Sequence, residues 1–188
     1  MSKSINVYDF DQTIYHSDSS KDFYLYSLRK DPSLVRYIPY QLFAAILYKL
    51  GLLSKTEMKS KVYVYFKSIQ NMEARVKGFW EIHEYKLETF YLKQKQSTDV
   101  IISASPEFML KPICEKLGVQ LIASHVDPKT GHSQENCYGK EKVLRFKALY
   151  KETQINEFYS DSLSDSPLAN LAAKAYLVTK SKLKAWPF

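Results

Sequence analysis

Two hydrophobic periods divide this chain. Residues 4–9 form a short β-branched and aromatic run that ends in a carboxylate, the pattern of a strand. From Ser19 to about Lys95 the spacing becomes helical. Ser19-Ser20-Lys21-Asp22 opens one helix, and Asp31-Pro32 closes it and caps the next. Further helices are expected over residues 55–69 and 73–95, the first introduced by a capping-box spacing from Ser54 to Glu57. After Thr98, strand and helix alternate. Strands are expected at 99–103, 119–124, 158–160 and 175–179, and helices at 106–117 (starting at Ser105), 141–151 and 166–173. Gly118 closes the first of these helices, and residues 127–131 read as a hairpin turn.

A strand, a helical block and then alternating strand and helix is the order of a parallel α/β core interrupted by a helical insertion. Three apolar strands end in Asp9, Ser103 and Asp161. Ligands of such sheets collect at the carboxyl ends of the strands, so these ends are expected to converge on one site.

The length of 188 residues suits one core domain with an inserted subdomain. Hydrophobic residues at 45% and charged residues at 25% exclude a disordered chain. Two cysteines, Cys114 and Cys137, are too few for a disulfide framework and read as free thiols in a reducing cytosol. No apolar run before Asp9 is long enough for a signal peptide, which points to a cytoplasmic protein. The net charge of +7 is uneven. Residues 17–96 carry 14 Lys/Arg against 8 Asp/Glu, or +6, leaving +1 for the rest. This basic segment is either a solvated helical surface or a surface for anionic substrates or membranes. Nucleic acid is not expected, because no base-reading motif accompanies the charge.

The candidate chemistry begins with Asp9 and Asp11. Two carboxylates two residues apart at a strand mouth place one at the ligand and the second beside it. The first can attack phosphorus, and the second can protonate the leaving oxygen and later deprotonate water. Two anions facing a phosphate imply a cation, Mg²⁺. By itself the pair is also what a turn after a strand contains. Asp161 and Asp165 follow another apolar strand and are hard oxygen ligands, with helix capping as their structural alternative. Ser103, before a helix start, forms an anion-binding corner or an ordinary cap. Lys142 supplies a fixed positive charge for phosphoryl transfer, with Lys140 as its rival.

Together these four segments resemble motifs I to IV of the haloacid dehalogenase superfamily over nearly the whole chain. The helical insertion is similar to the C1-type cap of the phosphoserine-phosphatase-like branch, subfamily IB. The resemblance implies a three-layer, Rossmann-like core at residues 1–16 and 97–188, with the cap at 17–96. It implies catalytic roles for Asp9 as nucleophile, Asp11 as acid/base, and Ser103 and Lys142 at the phosphoryl group. Asp9, the backbone carbonyl of Asp11 and Asp161 would ligate Mg²⁺, supported by Asp165. Thr13, Ser103, Ala104 and Lys142 would contact substrate, joined by Asp18 and Lys61 at positions where serine phosphatases carry a glutamate and an arginine. Ala104-Ser105-Pro106 replaces the glycines that follow the serine in those enzymes, a departure that bears on recognition of an amino-acid group.

The expected reaction is hydrolysis of a small phosphorylated metabolite or a lipid phosphate through an aspartyl-phosphate. The alternatives are a phosphotransferase or phosphomutase on the same scaffold, and a catalytically silent binding module. Residues 37–48 hold 12 consecutive uncharged positions, short of the ~20 that cross a bilayer. They form either a cap helix packed on its neighbours or a helix in weak peripheral contact with an anionic membrane. The second reading fits the basic insertion and a resemblance to phosphatidylglycerophosphatase-C-like members.

Overall fold

The computed structural model describes residues 4–188, so residues 1–3 of the expected segment 1–16 lie outside the described residues. The chain runs from β1 (Ser4–Tyr8) through five helices, α1 (Ser19–Lys30), α2 (Ile38–Lys49), α3 (Lys55–Val62), α4 (Met72–His83) and α5 (Thr89–Gln94). It continues with β2 (Val100–Pro106), α6 (Glu107–Leu117), β3 (Gln120–Ser124) and α7 (Lys140–Leu149). The last elements are β4 (Gln154–Ser160), α8 (Ser166–Ala169), β5 (Ala172–Thr179) and β6 (Lys182–Ala185).

All six strands form one sheet in the order β3-β2-β1-β4-β5-β6, parallel except for the antiparallel edge strand β6. β1 lies between β2 and β4, with Tyr8 registered against Ile101 and Tyr159. A central parallel strand is covered on both faces, which is why β1 and β2 are nearly unbroken apolar runs. Alternate side chains serve opposite layers. Val7, Val100, Ile102 and Phe158 pack with Phe146 of α7 and Leu168 of α8. Tyr8, Ile101 and Tyr159 pack with Met109, Leu110 and Ile113 of α6 and with the aromatic residues of the insertion. The result is a three-layer, Rossmann-like α/β sandwich with a helical insertion between β1 and β2. Cys114 and Cys137 are free and buried in the two different layers, which keeps them from bridging.

Local sequence accounts for most helix boundaries. Asp18 accepts the Lys21 N–H, Asp31 accepts the Ser33 N–H, and Ser54 and Glu57 form both halves of a capping box. Several boundaries differ from expectation: β2 runs on to Pro106, β4 begins at Gln154 rather than 158, and β5 begins at Ala172, inside the helix expected over 166–173. The helix expected over 55–69 stops at Val62 and tightens into a 3-10 segment, Tyr63–Ser68. The helix expected over 73–95 breaks after His83, where His16 N–H bonds the Lys86 carbonyl and Glu88 N–H bonds the Ile14 carbonyl. These tertiary bonds pull residues 84–88 out of helical register. α8 is only four residues long, and β6 follows a turn in which Lys180 and Ser181 both hold positive φ. The hairpin at 127–131 is present, with Gly131 N–H bonded to the Asp127 carbonyl. No helix among the described residues is long and apolar enough to cross a membrane.

Candidate active site

The ends of β1, β2 and β4 open into one cavity of about 500 Å³, walled on the other side by α1, α3 and Tyr63 and Tyr65 of the 3-10 segment. That volume suits a small organic ligand. Asp9 follows β1 and is held to the sheet by its N–H, which bonds the Tyr159 carbonyl at 2.8 Å. The chain then doubles back. Thr13, Ile14 and Tyr15 all donate to the Phe10 carbonyl, and Gln12 adopts φ +56°. The turn brings Asp11 to the cavity. One of its oxygens accepts the Ser19 N–H at 2.6 Å and the other accepts the Ser105 hydroxyl at 2.5 Å.

Lys142, on the first turn of α7, is fully buried. Its Nζ donates to Asp9 Oδ1 at 2.9 Å and to Asp165 Oδ2 at 2.7 Å. The Ser160 hydroxyl gives Asp165 Oδ2 a second donor at 2.8 Å. Burial alone would depress the lysine, but Asp9 and Asp165 outweigh it and hold its pKa above the ordinary value. Asp9 is raised by burial, against the pull of Lys142. Asp11 is pushed up to about 6, by burial and then by the Asp18 charge. Asp161 reaches about 7, by burial and then by Asp9.

Asp9, Asp11, Ser103, Ala104, Lys142, Asp161, Asp165 and Asp18 therefore share one cavity wall. Ser103 is buried there and accepts the Ser105 N–H at 3.1 Å. Lys142 rather than Lys140 enters the site. Two expected residues do not. Thr13 is fully buried and absent from the wall, because the Phe10 turn directs it inward. Lys61 donates to the Tyr40 hydroxyl outside the cavity, while Lys59 lines it. Residues two apart on a helix face different ways, so a two-residue error of alignment exchanges the two lysines. Lys59 Nζ donates to the Ala104 carbonyl at 2.7 Å and to Asn136 Oδ1 at 2.9 Å. Burial and then Lys55 lower its pKa to about 8. Gln12, Lys55, Tyr24, Met58 and Tyr138 also face the cavity. Tyr24, Lys55 and Met58 lie on α1 and α3, whose phase is fixed by packing, while Gln12 and Tyr138 lie in the loops that flank Asp11 and Lys142.

The donor set suits Mg²⁺. Asp9 and Asp161 place two mutually repelling carboxylates at the cavity, and the buried Asp165 Oδ1 has no hydrogen-bond partner. This is the arrangement expected of Mg²⁺, which takes one or two carboxylates and completes its shell with water and substrate phosphate.

The profile of the haloacid dehalogenase-like hydrolases matches residues 7–170. A Bordetella pertussis Tohama I protein of unknown function is similar in structure, with TM-score 0.74 and 20% identity, covering 93% of this chain and 89% of that one. A phosphoserine phosphohydrolase-like protein of Francisella tularensis is similar at TM-score 0.57 and 15% identity, covering 93% and 86%. A phosphoserine phosphatase, solved as a phospho-aspartyl intermediate analogue, is similar at TM-score 0.57 and 13% identity, also covering 93% and 86%. No curated protein matches the sequence significantly. The chain belongs to the haloacid dehalogenase-like hydrolases, with a fold like that of the phosphoserine phosphatases.

Proposed function

We propose that this protein is a Mg²⁺-dependent phosphatase that hydrolyses a phosphomonoester through an aspartyl-phosphate on Asp9. The observation that carries the reading is Lys142 locked between Asp9 and Asp165, with the Asp11 carboxyl beside them at the same cavity. In the first step an Asp9 oxygen forms a bond to phosphorus as the P–O bond to the leaving group breaks. Asp11, raised to about 6 and aimed by Ser19 and Ser105, gives its proton to the departing oxygen. In the second step Asp11 takes a proton from water, whose oxygen bonds to phosphorus as the bond to Asp9 breaks. Orthophosphate leaves and Asp9 is restored. Ser103 and Lys142 hold the phosphoryl oxygens, and Asp165 keeps the lysine aimed. Asp9, Asp161 and the Asp11 carbonyl would hold Mg²⁺, which neutralises charge on the phosphate and on the two carboxylates.

Residues 17–96 act as the cap that closes over the leaving group. Lys59 and Lys55 contact substrate from the cap, in place of Lys61. The wall they share with Tyr24, Met58, Tyr63 and Tyr65 is basic and aromatic, with Asp18 as its acid. This suits a leaving group with apolar surface, small or lipid-borne, better than a free amino acid. Free buried thiols accord with a cytoplasmic setting. The test is hydrolysis of p-nitrophenyl phosphate, and then of a panel of metabolite and lipid phosphates. Activity that requires Mg²⁺ and disappears in Asp9→Asn is expected. Undiminished turnover by Asp9→Asn would overturn the assignment.

A further inference from the structure

One helix of the insertion, α2, turns a large apolar face outward while burying a polar side chain, Gln41. Of the residues of α2 only Gln41 and Ala44 are buried. Gln41 turns into the protein, donating to the Val62 carbonyl and accepting the Tyr24 hydroxyl, both at 2.7 Å. Leu42, Phe43 and Ile46 are 60, 57 and 54% exposed, and Leu50 beyond the helix end is 66% exposed. With Pro39 they recur at three- and four-residue spacing along one face. Isolated exposed leucines are ordinary, but a continuous apolar stripe marks an interaction surface.

The charged side chains of the segment that carries the stripe are all of one sign. From Pro32 to Thr56 there is no Asp or Glu, while Arg36, Lys49 and Lys55 are all cationic. Lys61 reaches the edge of α2 at the Tyr40 hydroxyl, and Tyr40 and Tyr48 are both exposed. Glu57, the next acid along, is committed to the Ser54 N–H. We propose that this face docks on an anionic lipid surface. The helix lies in the headgroup layer, with Leu42, Phe43, Ile46 and Leu50 inserted, tyrosines at the interface and Arg36, Lys49 and Lys61 on the lipid charges. A second copy of the chain is the weaker occupant, because a two-fold contact through α2 would set Arg36 and Lys49 of both copies along one seam with no acid between them.

The docking face is separate from the catalytic residues, so it is tested without a turnover assay. The full chain is co-sedimented at low salt with mixed phosphatidylglycerol–phosphatidylcholine vesicles and with phosphatidylcholine alone. Binding to the anionic vesicles only, weakened by added salt, is expected. Phe43→Glu with Ile46→Glu is expected to lower partitioning at least about tenfold, and Lys49→Glu about tenfold. Circular dichroism and p-nitrophenyl phosphate hydrolysis should remain at wild-type levels in every variant, showing an intact fold. Equal binding to both vesicle types, no binding, or variants that bind like wild type would each overturn the proposal. So would a dimer in sedimentation equilibrium that Phe43→Glu dissolves, since the face would then belong to a second copy.

Discussion

The Nζ of Lys142 donates to Oδ1 of Asp9 at 2.9 Å, joining two residues 133 positions apart in the chain. The same ammonium group satisfies Asp165, and all three side chains are almost without solvent. Removing the lysine therefore leaves two buried carboxylates without their counter-charge.

Lys142→Met should lose activity and stability together. Loss of one fixed charge at a phosphoryl group is expected to lower kcat about a hundredfold or more. Breaking a buried pair from one side costs about 3 kcal/mol, read as a lower urea midpoint. The double variant Lys142→Met/Asp165→Leu should regain part of the stability and none of the activity. A single variant with wild-type kcat would remove the lysine from the mechanism.

Mg²⁺ binding should be visible without turnover. Asp9 and Asp161 repel each other across the cavity, so a bound cation stabilises the folded state. At about a hundred times its dissociation constant, the ion should add about 2.7 kcal/mol, seen as a rise in Tm. Asp161→Asn removes one ligand and also the repulsion. Its metal-free Tm should match or exceed that of the wild type, while its response to Mg²⁺ should vanish.

The conserved physics of strand ends made much of this site readable. Asp9, Ser103 and Asp161 each close an apolar run, and parallel packing carries such ends to one edge of the sheet. Lys142 was harder to separate from Lys140, because only burial in the folded chain distinguishes two lysines on one helical turn. The cap resisted most. Lys59 and Lys61 exchange places with a small error of phase, and the break after His83 depends on bonds to Ile14 and His16, some 70 residues away. The uncharged run over residues 37–48 left α2 with two readings, packed or membrane-facing, since an apolar helix pattern does not say which side meets the protein.

Gly131 ties the core hairpin to the cap. It holds φ +78°, and a Cβ there would lie 2.2 Å from the Tyr63 carbonyl oxygen. Tyr63 is on the cavity wall, so the contact also sets the cavity's shape. Gly131→Ala should cost about 2–3 kcal/mol and raise KM, because both backbone conformation and packing must yield. Gly118→Ala is the control. Gly118 holds φ +72° with nothing within 4 Å of an added Cβ, and about 1 kcal/mol without a change in KM is expected. Equal losses in the two variants would mean that the contact with Tyr63 carries no weight.

Lys59 predicts a pH dependence that comes from the cap rather than from the nucleophile. Its pKa is lowered to about 8 by burial and then by Lys55, so its charge fades as pH rises through 8. Two of its protons are held by the Ala104 carbonyl and Asn136, which leaves the third for a ligand. A phosphomonoester is already dianionic there, so its own charge stays constant over this range. KM should therefore climb between about pH 7.5 and 9 while kcat changes little. In Lys59→Met, KM at pH 7 should be about tenfold higher, the loss of one charged hydrogen bond, and flat across the same range. Lys61→Met should keep the wild-type profile, because that lysine points to Tyr40 and away from the cavity. A slope that survives in Lys59→Met would assign the titration to another group.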